Sequence, residues 1–192
     1  MTEKERMLAG QTYDCGDPAL LARWHEAKKL QKQYNDTAST DKDRLHAILR
    51  ELIGGHGANV WISSPFFVDY GENIFLGNNV EINMNCVFLD CNRIAIGDNS
   101  GIGPGVHIYT VDHPVRASER VVSRNGSDFP FWKSVAKAVN IGKNVWIGGG
   151  SIILSGVNIG DNTTIGAGSV VTKDIPANCL AFGNPCQVVK HL

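Results

Sequence analysis

Aliphatic residues recur at every sixth position through most of this chain, and that period leaves few architectures open. From Ile141, steps of six reach Ile147, Ile153, Ile159, Ile165 and Val171. Upstream the same position is held by Leu76, Ile82 and Phe88, by Ile96, Ile102 and Ile108, and more faintly by Ile62 and Val68, making fourteen units. Gly most often follows the aliphatic, and Val, Ser or Thr stands two residues before it. A unit of six is too short for a helical repeat, and its period does not fit an amphipathic helix. It fits a short strand plus a turn, with the aliphatic pointing inward and Gly, Asn or Asp accepting the corner's backbone angles. Gly77-Asn78-Asn79-Val80, Gly97-Asp98-Asn99-Ser100, Gly142-Lys143-Asn144-Val145 and Gly160-Asp161-Asn162-Thr163 are such corners. Three strands close one triangular coil of about eighteen residues, and stacked coils bury a column of aliphatics. The expected fold is therefore mainly β, a parallel β-helix of hexapeptide repeats.

The repeat does not run the whole length. Its register slips by two residues between Val68 and Leu76, slips again between Phe88 and Ile96, and breaks between Ile108 and Ile141. The break contains an excursion over 112–138, long enough to suggest a functional loop, and it carries Phe129, Phe131 and Trp132. Ahead of the repeat, Asp17-Pro18 reads as a helix start, followed by Leu20, Leu21, Trp24, Ala27, Leu30 and Tyr34 at helical spacing. A second helix is expected from near Thr40, with Leu45, Ile48, Leu49 and Leu52 on one face and Gly54-Gly55 as its stop. Residues 1–56 are thus expected to form a helical cap on a β-helix spanning 57–192. After Val171 the repeat gives way to a tail, Lys173-Asp174-Ile175-Pro176 through Asn184-Pro185-Cys186-Gln187-Val188-Val189.

Eighteen basic against nineteen acidic residues leave a net charge of −1. No basic face for nucleic acid and no basic amphipathic stretch for a membrane surface is implied. There is no run of 18 apolar residues, and MTEKERMLAG is charged where an export signal would be apolar, so a cytoplasmic protein is expected. Cys15, Cys86, Cys91, Cys179 and Cys186 are odd in number and form no C-x-x-C pair, as expected of reduced thiols.

Chemistry should sit where the regular pattern is interrupted. His113, at the root of the excursion, has the near-neutral intrinsic pKa of a general base. Asp112, Glu119 or a backbone carbonyl could orient it. His107 and His113 lie six apart, but His25, His46, His56 and His191 lie outside the repeats and supply no third ligand, so no metal is expected.

Several motifs narrow the reading further. They are Met7-Leu8-Ala9-Gly10 with Tyr13-Asp14, Asp69-Tyr70-Gly71, Asn83-Met84-Asn85-Cys86, Tyr109-Thr110-Val111-Asp112-His113-Pro114, Asn144-Val145-Trp146-Ile147-Gly148 and the run Ile165 to Pro176. With them the chain resembles the maltose and galactoside O-acetyltransferases, left-handed β-helix enzymes. The resemblance implies acetyl-CoA as co-substrate and a sugar hydroxyl, with a leaning to the 6-position, as acceptor. It implies direct attack, with His113 as general base and Asn83 near the reacting centre. Asp14, Arg23, Asp69 and Asp90 would meet the sugar; Trp146, Gly149, Ala167, Thr172, Lys173 and Lys190 would hold the cofactor, the Gly149 N–H serving the oxyanion. It also implies a homotrimer with active sites between subunits. Cys91, where some galactoside-acetylating relatives carry a second carboxylate, Glu81, where an aromatic is common, and Gln187, where a basic residue is frequent, depart from the pattern. Another small hydroxyl acceptor, such as an antibiotic or an amino acid, and a non-catalytic trimeric scaffold are the competing readings.

Overall fold

A computed structural model describes residues 1–122 and 131–192; Phe129 lies outside the described residues. Three parallel sheets form the sides of a prism. The first stacks strands Phe66–Val68, Cys86–Leu89, His107–Tyr109, Ile152–Ile153 and Val170–Val171. The second stacks Gly55–His56, Ile74–Leu76, Ile94–Ile96, Val139–Ile141 and Asn158–Ile159. The third runs from Trp61–Ile62 through Glu81–Ile82, Gly101–Ile102, Trp146–Ile147 and Thr164–Ile165 to Cys179–Gly183.

The six-residue period translates directly into this core. Ile82, Ile102, Ile147 and Ile165 stand in register on the third sheet, and Val68, Phe88, Ile108, Ile153 and Val171 on the first, each essentially inaccessible. Burying each such side chain is worth roughly 1.5–3 kcal/mol. The hydroxyls two residues before the aliphatic are buried too, and each is satisfied by a corner carbonyl. Ser100 Oγ donates to Gly142 O (3.0 Å), Ser151 Oγ to Gly148 O (2.7 Å) and Thr163 Oγ1 to Pro176 O (2.9 Å). A buried hydroxyl is tolerated on that condition.

Helix α1 (Glu3–Leu8) is set by a capping box between Thr2 and Glu5. Helix α2 (Pro18–Asp36) starts at Asp17, whose carboxylate accepts the Ala19 and Leu20 N–H groups, and α3 (Lys42–Leu52) starts at Asp41. Helix α2 lies along the open edge of the first sheet and supplies what a neighbouring strand would have supplied. Gln31 Oε1 accepts from Val68 N (2.8 Å), and Asn35 both accepts from Phe66 N and donates to Phe66 O (2.9 Å each). That covers the edge against further strand pairing. At the other end the coil outlasts the recognisable repeat. Ile175 bridges Ile159, Ala181 continues the third sheet, and the expected tail turns back as an antiparallel strand, Cys186–His191.

Where it is described, the excursion forms an arm. Val111–Asp112 pairs antiparallel with Phe131–Ala136, which also pairs with Tyr13–Asp14 and Val121–Val122, and a single helical turn, α4 (Ala117–Arg120), lies between.

Candidate active site

Every slip and break in the repeat falls at the same edge of the prism, the corner between the first and second sheets. Residues 69–73, 90–93 and the arm are stacked there, one coil above another. Asp90 ties the lower two together. Its Oδ1 accepts the N–H groups of Asp69 (3.0 Å) and Tyr70 (2.9 Å), its Oδ2 that of Asn73 (3.3 Å), and Asn73 Nδ2 donates to Asp90 O (2.7 Å). Burial pushes the Asp90 carboxyl up to about 7 even against these donors. The side chain is wholly buried. The sequence-based expectation that Asp90 meets a sugar is therefore corrected: its oxygens are committed to the backbone of the corner. Asn92 links the next layer, donating to Met7 O (3.1 Å), Leu8 O (3.2 Å) and Ala136 O (2.9 Å).

A second apolar cluster, Met7, Tyr13, Leu20, Tyr70, Cys91 and Ala136, packs over this corner. Beside it opens a cleft of about 430 Å³, lined by Trp24, Asp69, Cys91, Val111, His113 and Ser134 among others. Asp69 projects from the lowest corner. Its Oδ1 accepts from Trp24 Nε1 (3.3 Å) and lies 3.6 Å from Lys28 Nζ; its Oδ2 faces the Cys91 thiol at 3.6 Å. Burial pushes that thiol up, so it stays protonated and can donate.

His113 follows the strand Val111–Asp112, and its imidazole is exposed. Its Nδ1 lies 2.8 Å from the Lys133 carbonyl on the opposite arm strand. A carbonyl only accepts, so Nδ1 carries the hydrogen, and in the neutral ring the lone pair is on Nε2. Of the three orienting groups considered from sequence, the backbone carbonyl is the one in place; Glu119 pairs with Arg116 at 3.5 Å. Trp132 stands edge-on to the imidazole, ring centres 5.2 Å apart. Arg120 lies over the Trp132 ring and donates to Pro114 O (3.0 Å) and Val115 O (2.8 Å), closing the turn that follows His113.

The other expected site residues are dispersed. Asp14 lies on the strand paired with Lys133, but its Oδ1 accepts from Gly16 N (2.9 Å). Arg23 is exposed and paired with Glu72 at 2.7 Å. Neither lines the cleft, and nor does Asn83, whose Oδ1 accepts from Met84 N (2.9 Å) at the corner between the third and first sheets. Gly149 and Ala167 lie on that same corner in higher coils, joined through Gly168 N to Gly149 O (2.9 Å). A Cβ on Gly149 would stand 2.9 Å from Pro104 O, so no side chain fits there without displacing backbone. Trp146 is half exposed and lies across Gly101, where a Cβ would meet its ring at 2.8 Å. Thr172 and Lys173 follow the last first-sheet strand, and Lys190 lies on the final strand opposite Leu180; all three are exposed. Among the described residues no group of three or more His, Cys, Asp or Glu could hold a metal ion. The cleft also brings in residues that sequence reasoning gave no site role, Trp24 and Ser134 among them, and Lys28 reaches it through Asp69. Trp24 gave only a helix-face signal.

Comparison with known proteins matches residues 6–57 to the maltose acetyltransferase hexapeptide capping motif and residues 138–173 to the bacterial transferase hexapeptide, six repeats. Nodulation protein L of Rhizobium meliloti (strain 1021) is 45% identical over 187 residues, covering 97% of each chain. The crystal structure of a maltose O-acetyltransferase from Clostridium difficile 630 is 45% identical, with TM-score 0.92 and coverage of 100% of this chain and 98% of that one. A galactoside acetyltransferase in complex with coenzyme A is 35% identical, with TM-score 0.91 and coverage of 100% and 91%.

Proposed function

The chain belongs to the hexapeptide-repeat acetyltransferases that carry the maltose acetyltransferase capping motif, and on that premise we propose that it moves an acetyl group from acetyl-CoA to a hydroxyl of a sugar such as glucose, maltose or a galactoside. The observation that carries the reading is His113: one nitrogen tied to the Lys133 carbonyl, the other without a partner among the described residues, at the rim of a cleft that also holds Asp69.

A hydroxyl is a weak nucleophile until a positioned base accepts its proton. His113 Nε2 takes that proton as the oxygen bonds to the acetyl carbonyl carbon, and returns it to the departing CoA sulfur as the carbon–sulfur bond breaks. The bound acetyl-CoA supplies an activated thioester. Trp146, Gly149, Ala167, Thr172, Lys173 and Lys190 hold it, the lysines meeting phosphate and the glycine corner admitting the pantetheine arm. Gly149 N–H donates to the developing oxyanion. Asn83 acts beside the reacting centre, and no metal takes part. Asp69 accepts a hydroxyl of the sugar. Asp14 and Arg23 approach the acceptor from the cap, Arg23 after leaving Glu72.

His113 and the Asn83–Gly149–Ala167 corner occupy different edges of the same prism. The reading that joins them is a homotrimer in which each site lies between two subunits. A soluble, cytoplasmic enzyme fits the reading. The test is CoA release from acetyl-CoA with glucose, maltose, methyl galactoside, an aminoglycoside and serine as acceptors. Release confined to the sugars, with an O-acetyl sugar as product, is expected. Release only with serine or the aminoglycoside overturns the acceptor assignment.

A further inference from the structure

Asp69 is the one carboxylate lining the cleft among the described residues, and it is not left bare. Lys28, one helical turn beyond Trp24 on α2, brings Nζ to 3.6 Å from Asp69 Oδ1. The same ammonium donates to Val68 O and lies 4.9 Å from the centre of the Trp24 ring, whose Nε1 donates to Asp69 Oδ1. Both side chains of the ion pair are largely buried, at 28% and 20% exposure, so the pairing is only partly screened by water. The carboxylate is thereby charge-compensated and fixed through Oδ1, while among the described residues Oδ2 faces only the weak donor thiol of Cys91. A hydroxyl can replace a thiol at Oδ2 with a gain in hydrogen-bond strength and no change in charge. An ammonium arriving there would find Asp69 already neutralised and would be repelled by Lys28. His25 and His113 also face the cleft, and Asp90 lies behind the corner with its oxygens engaged by backbone.

Building on the acetyl-transfer reading, we infer that Lys28 is a specificity-determining residue: by compensating Asp69 it selects neutral, hydroxyl-bearing acceptors and excludes cationic ones. Lys28 acts through Asp69 and is a positioning residue, with Trp24 as its platform.

The experiment compares glucose with glucosamine at slightly acid pH, where the amine is charged, in wild type, Lys28→Met, Lys28→Gln and Lys28→Arg. Turnover is read by CoA release and sugar binding by calorimetry. Wild type is expected to favour glucose. Lys28→Met and Lys28→Gln are expected to shift kcat/KM and binding toward glucosamine by about tenfold, whereas Lys28→Arg keeps the wild-type ratio. A purely structural lysine would weaken both acceptors alike. A selectivity ratio unmoved in both neutral variants, with glucose still acetylated by wild type, overturns this inference and leaves the function standing. Wild type that neither binds nor acetylates any sugar overturns the function and the inference together.

Discussion

Two neighbouring corners of the prism solve the same backbone problem in opposite ways. Between the second and third sheets, six asparagines, Asn59, Asn79, Asn99, Asn144, Asn162 and Asn178, adopt positive φ. Their amides form a continuous ladder of hydrogen bonds at 2.8 to 3.2 Å, each Nδ2 donating to the Oδ1 of the next coil. Between the first and second sheets no such column of one residue type forms. Asp69, Asp90 and Asn92 each make different contacts, and the third turn grows into an arm. A corner that repeats can only stack on itself. A corner freed from repetition can bury a carboxylate, hold a helix and present an imidazole, and there the candidate chemistry collects.

That contrast can be broken from either side. The largest expected effect is on turnover: His113→Ala should lower the rate of acetyl transfer by about 10² to 10⁴-fold with little change in Tm, checked by CoA release on the folded variant. The next is on stability. Asp90→Ala leaves three backbone N–H groups without their acceptor and should cost about 3 kcal/mol or more, read from denaturant unfolding. Asp90 also sets a pH trend. Folded, its carboxyl keeps a proton up to about pH 7; unfolded, it loses it near the ordinary aspartate value of 3.8. Between those limits unfolding releases a proton, so stability falls as pH rises, by at most about 1.4 kcal/mol per pH unit. Asp90→Asn should remove that slope, and a slope unchanged in the variant would show that Asp90 is not its source. The smallest effect belongs to the regular corner. Asn144→Ala should cost about 1–2 kcal/mol, because alanine is strained at positive φ, while Asn144→Gly, which relieves the strain but cuts the ladder, should cost only about 0.5 kcal/mol.

The regular corner is also the part most legible in the sequence. Identical side chains, each three residues ahead of an inward residue of the third sheet, carry their own register, and the inward aliphatics and the helix starts at Asp17 and Asp41 follow from local chemistry. The two-residue slips were visible, and their stacking at one edge follows once the strands are assigned to sheets. What lay beyond the sequence is long-range and mostly backbone. The partner of His113 is a carbonyl twenty residues away, which no side-chain pattern signals. The arm strand Phe131–Ala136 pairs with Tyr13–Asp14 across more than a hundred positions. Asp90 reads as an available carboxylate until three N–H groups from the coil below are found on it. Helix α1 did leave a local trace, Thr2 three residues before Glu5, but six residues are too few for a periodic pattern.

The most direct test of the account is the tautomer of His113 in the resting protein, read by long-range ¹H–¹⁵N correlation NMR. The account requires a single neutral form at mildly alkaline pH, with the proton on Nδ1 and a bare Nε2. A proton on Nε2, or averaging between the two nitrogens, would contradict it, because the Lys133 carbonyl would then not be holding the base in the state that accepts a proton.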